Sequence, residues 1–282
     1  VTRELRLSKY QATGNDFLII DETAQPVGAL DVPALCDRWT GVGADGVLRV
    51  SRDGEGFGFE LTNADGSSAA MSGNGMRCLA AYLRDVGAVD ADATLHVRTP
   101  AGMREVTLLP DGASVGMGVP NLTKAAIPMR GPAWETFLAQ PFDLGGGLVL
   151  TASAVGMGNP HLVLFTDEDP ARYHLEHLGP ALEHHELFPE RTNVEFARVG
   201  GDGIDVRVWE RGVGETLACG TGACAVAVAA SEAGLAPRSV DVRFRGGTLH
   251  VERRDDGEVV LSGAVARVFD ATVDLDVLAV IA

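Results

Sequence analysis

The chain has 282 residues, 46% hydrophobic and 22% charged, which is ordinary usage for a soluble globular protein and argues against wholesale disorder or a fibrous architecture. Against 39 Asp and Glu stand 23 Lys and Arg, a formal charge of −16, so nucleic acid and anionic membranes are poor partners. A small anionic substrate is not excluded, because a pocket can be locally positive in a negative protein.

At about 150 residues per domain the length favours two domains. The amino terminus, Val1-Thr2-Arg3-Glu4-Leu5-Arg6, lacks the apolar core of a secretory signal, which favours a cytoplasmic location. Thr13-Gly14-Asn15-Asp16 leads into a strand-like run, Phe17-Leu18-Ile19-Ile20. Gly41-x-Gly-x-x-Gly46 formally matches the dinucleotide fingerprint, but Val47-Leu48-Arg49-Val50 after it reads as a strand where that fingerprint requires a helix, so the match is discounted. Next comes Met71-Ser72-Gly73-Asn74-Gly75-Met76-Arg77-Cys78. It places a small nucleophilic side chain before Gly-x-Gly and a run of good helix formers after it.

The uncharged stretch between Asp143 and Asp167 is long enough to raise a membrane crossing of about 20 residues. Gly145-Gly146-Gly147 and Asn159-Pro160-His161 interrupt it, which argues against a span. Leu148-Val149-Leu150, Leu162-Val163-Leu164-Phe165, Val206-Arg207-Val208-Trp209 and Val240-Asp241-Val242-Arg243-Phe244 read as further short strands between Asp-Gly and Gly-Gly turns. His174, His177, His184 and His185 have no metal-ligand spacing and read as a solvated helix face, so no metal is expected. Ala218-Cys219-Gly220-Thr221-Gly222 opens a second helix without a charge until Glu232. Being small and apolar on every face, it should be buried all round. Val268 to Ala282 alternates as a strand that returns to complete the first domain.

Cys219 lies 147 residues after Ser72, and Asn159 lies 144 after Asn15. Two matches at nearly one offset indicate a duplicated domain. The expected division is residues 1–122 with the returning strand 268–282, and residues 123–267. The expected fold class is α+β: two pseudo-symmetric domains, each a mostly antiparallel, barrel-like sheet wrapped round a central helix.

A helix that starts at Gly-x-Gly presents unpaired N–H groups and the positive end of its dipole, a site for a carboxylate as readily as a phosphate. A thiol there falls from about 8.5 into the range of roughly 3.5–7.5, so Cys219 is expected as a thiolate. The four cysteines contain no Cys-x-x-Cys and read as reduced. Cys78 and Cys224 sit where helix packing is the default, and Cys36 has no telling context.

Gly14-Asn15-Asp16-Phe17, Gly41-Val42-Gly43-Ala44-Asp45-Gly46, Asn63-Ala64-Asp65-Gly66-Ser67, Gly73-Asn74-Gly75-Met76-Arg77-Cys78, Gly158-Asn159-Pro160-His161, Arg191-Thr192-Asn193-Val194, Glu210-Arg211-Gly212 and Ala218-Cys219-Gly220-Thr221-Gly222 form a collinear set across nearly the whole chain. In that set the chain resembles the diaminopimelate epimerases, which invert one α-carbon with two opposed thiols and need no pyridoxal phosphate. The resemblance implies two similar domains with the substrate in the cleft between them, no cofactor, and interconversion of LL- and meso-diaminopimelate in lysine biosynthesis. It makes Cys219 one catalytic thiol. Asn15, Asn63, Asn159, Asn193, Glu210 and Arg211 would hold the amino and carboxylate groups of the substrate, and the Gly73-Asn74 and Gly220-Thr221 amides would cradle the α-carboxylate. Gly46 stands where some relatives carry an amide side chain.

One position departs from the pattern: Ser72 occupies the place of the second catalytic cysteine. Inversion needs an acid and a base on opposite faces of the carbon, and a serine hydroxyl is far too weak an acid to be substantially ionised. Ser72 therefore stands between a helix cap and a residual catalytic role, and between a deliberate change, a natural variant and a degraded enzyme. The expected function is an epimerase impaired at this position. The alternatives are a one-thiol relative that removes the α-proton and expels a β-substituent, as hydroxyproline-type dehydratases do, and a binding protein without chemistry. The partner expected is the small-molecule substrate, and the oligomeric state stays open, a homodimer included.

Overall fold

The computed structural model describes residues 4–25, 27–54 and 56–278. The chain divides into two compact units, Val1–Val115 with Gly263–Ala282, and Gly116–Ser262.

The first unit runs β1 (Glu4–Ala12), β2 (Asn15–Asp21), α1 (Val32–Cys36), β3 (Gly46–Asp53), β4 (Gly56–Asn63), β5 (Ser68–Ala69), α2 (Gly73–Asp85), β6 (Thr94–Thr99), β7 (Gly102–Leu109) and β8 (Gly112–Gly118). In β1 the alternate residues Leu5 and Leu7, then Tyr10 and Ala12, turn inward, the two-residue period of a strand with one face on a core. β1 pairs antiparallel with β2, β2 parallel with β3, β3 antiparallel with β4, β4 parallel with β6, and β6 antiparallel with β7. Helix α2 packs against β1, β2 and β7 and is buried from Gly73 to Leu83.

The second unit repeats this order. It comprises β9 (Gln140–Asp143), β10 (Val149–Gly156), β11 (Pro160–Phe165), a 3-10 turn (Pro170–Arg172), α3 (Leu175–Glu183), β12 (Asn193–Gly200), β13 (Gly203–Glu210), β14 (Gly214–Thr216), α4 (Gly220–Glu232), β15 (Ser239–Phe244), β16 (Gly247–Arg253) and β17 (Val259–Ala264). β10 pairs antiparallel with β11, β11 parallel with β12, β12 antiparallel with β13, β13 parallel with β15, and β15 antiparallel with β16. These five pairings of the first unit thus recur strand for strand, and two of the five are parallel in each unit, so the pairing is mixed. Helix α4 carries only Gly, Ala, Cys and Val from Gly222 to Ala230 and is buried over that span against β10, β11, β12, β15 and β16.

The chain closes with β18 (Ala266–Asp274) and α5 (Leu275–Leu278). β18 lies antiparallel to β1, from Glu4 opposite Asp274 to Gln11 opposite Ala266. The strand expected to continue to Ala282 stops at Asp274, whose carboxylate accepts from the Asp276 N–H and starts a helical turn. Residues 279–282 of that expectation lie outside the described residues. The first unit ends at Val115 rather than near residue 122, because Val115 is the last residue of β8 that pairs with β7. Among the described residues no helix is long and apolar enough to cross a membrane. Of the four histidines expected on a solvated helix face, only His177 lies in α3; His174 and His184 flank it and are exposed like His177, whereas His185 is half-buried with its ring 4.9 Å from that of Phe142.

The core of the second unit gathers Ile127, Leu162, Leu164, Leu175, Val194 and Phe196, with the Tyr173 ring 4.7 Å from that of Phe196. Truncating Phe196→Ala should remove about 3–5 kcal/mol from the stability of this unit. Urea unfolding followed by near-ultraviolet circular dichroism reads that loss, and a shift below about 1 kcal/mol would contradict the packing described.

Candidate active site

Each unit brings one loop and one helix start together in the same way. In the first, the β1–β2 hairpin turns through Thr13 and Gly14, both with positive φ (52° and 82°), and delivers Asn15 to the start of α2. There Ser72 is the N-cap, at φ −145° and ψ 118°, its Oγ accepting from the Gly75 N–H at 3.1 Å. Asn74 donates from Nδ2 to Asn15 Oδ1 at 3.2 Å, and the buried Arg77 donates to Asn74 Oδ1 at 2.5 Å. Asn15 in turn donates to Asp45 Oδ2 at 2.6 Å. Arg38 clamps Asp16 with both terminal nitrogens, at 2.7 and 3.1 Å, and reaches Asp45 at 2.7 Å, while Lys9 lies 2.7 Å from Asp16.

In the second unit the β10–β11 turn through Gly158, φ 89°, delivers Asn159 to the start of α4. Cys219 is the N-cap, at φ −130° and ψ 120°, and its Sγ accepts from the Gly222 N–H at 3.4 Å. Thr221 Oγ1 lies 3.4 Å from Sγ, and Asn159 donates from Nδ2 to that hydroxyl at 3.4 Å. Behind Asn159, its Oδ1 is 2.9 Å from His161 Nε2, and His161 Nδ1 is 2.6 Å from Glu195 Oε1, with both side chains fully buried. The first-turn N–H groups of Gly73, Asn74, Gly220 and Thr221 occupy positions that lack partners within a helix.

The other expected residues are placed less symmetrically. Asn63, half-buried at the end of β4, donates to Ser67 Oγ at 3.0 Å. Asn193 is buried and occupied at both ends: Nδ2 donates to the Pro160 carbonyl at 2.9 Å, and Oδ1 accepts from the Arg211 N–H at 2.8 Å. It therefore fixes the turn that carries Glu210 and Arg211. Glu210 accepts from Thr216 Oγ1 at 2.6 Å, and the Arg211 guanidinium reaches the Glu190 carbonyl at 3.1 Å. A side chain at Gly46 would have its Cβ 2.8 Å from the Thr62 carbonyl, so the backbone of β4 itself denies this position an amide side chain.

The electrostatics correct the expectation of a resting Cys219 thiolate. Burial, then the Glu210 and Glu195 carboxylates, push the thiol well above its ordinary value, and the hydrogen bonds with Thr221 and Gly222 offset only part of that. Burial also raises the Glu210 carboxyl. Desolvation outweighs the helix terminus here because the thiol has lost its water. Cys36 and Cys78 are pushed up by burial as well, to about 11 and about 12. For Asp16 burial acts upward, but the Arg38 and Lys9 contacts prevail and hold the carboxyl down at about 2.

Sequence reasoning missed Lys9, Arg38 and Glu195, whose roles rest on contacts 7 to 34 residues away along the chain. Asp45 lay within a quoted motif and His161 beside Asn159, but neither motif said what the side chain would hold.

A family model for diaminopimelate epimerase matches residues 7–123 and 153–268. Curated diaminopimelate epimerases are similar over nearly the full length. The one from Synechococcus sp. (strain JA-3-3Ab) is 43% identical over 279 residues, covering 95% of this chain and 98% of that protein. The one from Desulforudis audaxviator is 45% identical over 278 residues, covering 94% and 98%. Among solved structures, a hydroxyproline epimerase from Agrobacterium vitis with bound trans-4-hydroxy-L-proline superimposes with a TM-score of 0.70 at 14% identity, covering 96% of this chain and 91% of that one. At that identity the likeness is one of fold.

Two measurements follow from the electrostatics. Because the folded Asp16 carboxyl is depressed, its stabilisation is complete above its unfolded value of about 3.9 and is lost as pH falls toward about 2. Asp16→Asn should cost about 1–3 kcal/mol at neutral pH and flatten the acid limb of the stability curve, read by urea unfolding at stepped pH. Iodoacetamide labelling of Cys219, followed by peptide mass spectrometry, should still be accelerating at pH 9.0, because the thiol is held well above that value. A plateau near neutrality would show a resting thiolate instead.

Proposed function

Because the chain belongs to the diaminopimelate epimerase family, we propose that it interconverts LL- and meso-diaminopimelate by moving the α-proton, without pyridoxal phosphate. It is an isomerase of the amino-acid epimerase class. The observation that carries the specific reading is the matched pair of helix N-caps: Ser72 and Cys219 share one backbone conformation and one local hydrogen bond, each beside an Asn delivered by a glycine turn.

In this reading the first-turn amides of α2 and α4 bind the α-carboxylate and stabilise the charge that develops on it as the α-proton leaves. Asn15, Asn63, Asn159, Glu210 and Arg211 orient the remaining amino and carboxylate groups, and Asn193 holds the turn that carries Glu210 and Arg211. Cys219, held protonated at rest, acts first as the acid: its S–H bond breaks as a C–H bond forms on its face of the carbon. The base on the other face belongs to position 72, and there a hydroxyl replaces the thiol. Epimerisation is therefore slow in this chain, while substrate binding is retained.

The thiol of Cys219 serves as a cap in the twin position, which supports Ser72→Cys as a tolerated change, costing less than about 1 kcal/mol. We expect that variant to interconvert the two isomers at least about 100-fold faster than the parent chain, read by proton NMR in D₂O. Parent turnover within a few-fold of the variant would remove the proposed impairment. Release of a keto acid or cyclic imine would assign one-thiol elimination, and tight binding without exchange in either chain would assign a binding protein.

A further inference from the structure

We infer that Glu195 is a positioning residue for Cys219, acting through His161, Asn159 and Thr221. The inference rests on the epimerase reading for its consequence on turnover, though not for its geometry.

The duplication supplies an internal comparison. In the first unit Phe17 pairs with Gly46 across the parallel β2–β3 ladder, and Ile19 pairs with Leu48. At the same places in the β11–β12 ladder, His161 pairs with Asn193, and Val163 with Glu195. Where the half with Ser72 has buried Phe17 and Leu48, the half with Cys219 therefore has fully buried His161 and Glu195. A carboxylate in the middle of a strand that also carries Val194, Phe196 and Ala197 is costly to desolvate. Simple packing is satisfied by leucine at the twin position, so packing does not account for the glutamate.

The contacts give it a direction. Both His161 nitrogens face oxygens, Glu195 Oε1 at 2.6 Å and Asn159 Oδ1 at 2.9 Å, an arrangement that two ring N–H donors would satisfy. With its Oδ1 so engaged, Asn159 must turn Nδ2 toward Thr221 Oγ1. That donation leaves the Thr221 hydroxyl proton for Cys219 Sγ. From His161 Nε2 onward each donor points toward the sulfur, while Nδ1 points back to the buried carboxylate, which sets the sense of the chain. Glu195 Oε2 is buried without a hydrogen-bond partner among the described residues, so the His161 contact is what holds the group.

Gly222 belongs to the same arrangement. A Cβ there would lie 2.8 Å from Glu195 Oε1 and 3.4 Å from Cys219 Sγ. The second glycine of this Gly-x-Gly thus admits the carboxylate against the helix start, whereas its twin Gly75 faces the Phe59 ring.

The first test needs no substitution: in the ¹⁵N-histidine-labelled chain, His161 should show protons on both ring nitrogens. Glu195→Gln should remove one of them and shift the pH profile of Cys219 alkylation, since Glu195 and Glu210 are the titratable groups that act on the thiol and His161 acts on Glu210. In the Ser72→Cys background, Glu195→Gln should lower kcat for α-proton exchange about 10- to 100-fold, with KM changed less than about 3-fold. Glu195→Asp should recover part of the loss. A single ring proton in the parent chain, or an alkylation profile and kcat unmoved in Glu195→Gln, would overturn the inference. If the Ser72→Cys chain itself exchanges no α-proton of diaminopimelate, the functional reading fails, and the ring and alkylation measurements still decide the role of Glu195.

Discussion

Both halves of the molecule are organised by the problem of starting a helix inside a sheet. A buried first turn leaves several N–H groups without intrahelical partners, and in each unit one of them is answered by the side chain immediately before Gly-x-Gly: Ser72 for Gly75, Cys219 for Gly222. The glycines let the backbone start the turn under close cover, and the hairpins at Gly14 and Gly158 bring an asparagine onto the same turn. Much of the chemistry proposed for the chain is a use of these unsatisfied donors by a carboxylate.

The two copies are alike in backbone and unlike in charge. Behind Asn15 stands an acidic pair, Asp16 and Asp45, neutralised by Arg38 and Lys9. Behind Asn159 stands a sealed His161–Glu195 pair. A cap that only accepts a hydrogen bond, as Ser72 does, is served by the first arrangement. The Cys219 thiol instead sits near the Glu210 and Glu195 carboxylates, whose charges act on it.

Burial also inverts a common expectation about helix-terminal cysteines. One N–H at 3.4 Å and one hydroxyl at 3.4 Å do not replace the water that the sulfur has lost, and two nearby carboxylates add to the deficit. The resting thiol is therefore an acid, and anything that shields those carboxylates would draw it toward the thiolate.

The duplication, the two central helices and the place of the returning strand were legible in the sequence because they rest on local signals: repeated Gly-x-Gly, a helix without charge and an alternating terminal run. The residues that meet at the two helix starts, Asn15, Asn74 and Ser72 in one unit and Asn159, Thr221 and Cys219 in the other, each lie beside a glycine in the sequence. The parallel pairings, the early end of the first unit at Val115 and the denial of a side chain at Gly46 depend on which strand lies alongside which, and no residue states that alone. The same holds for the protonation of Cys219 and for the partners of Lys9, Arg38 and Glu195. A motif names a group and its neighbours along the chain, whereas the charge it carries is decided by burial and by residues brought from elsewhere. Those are properties of the folded chain only.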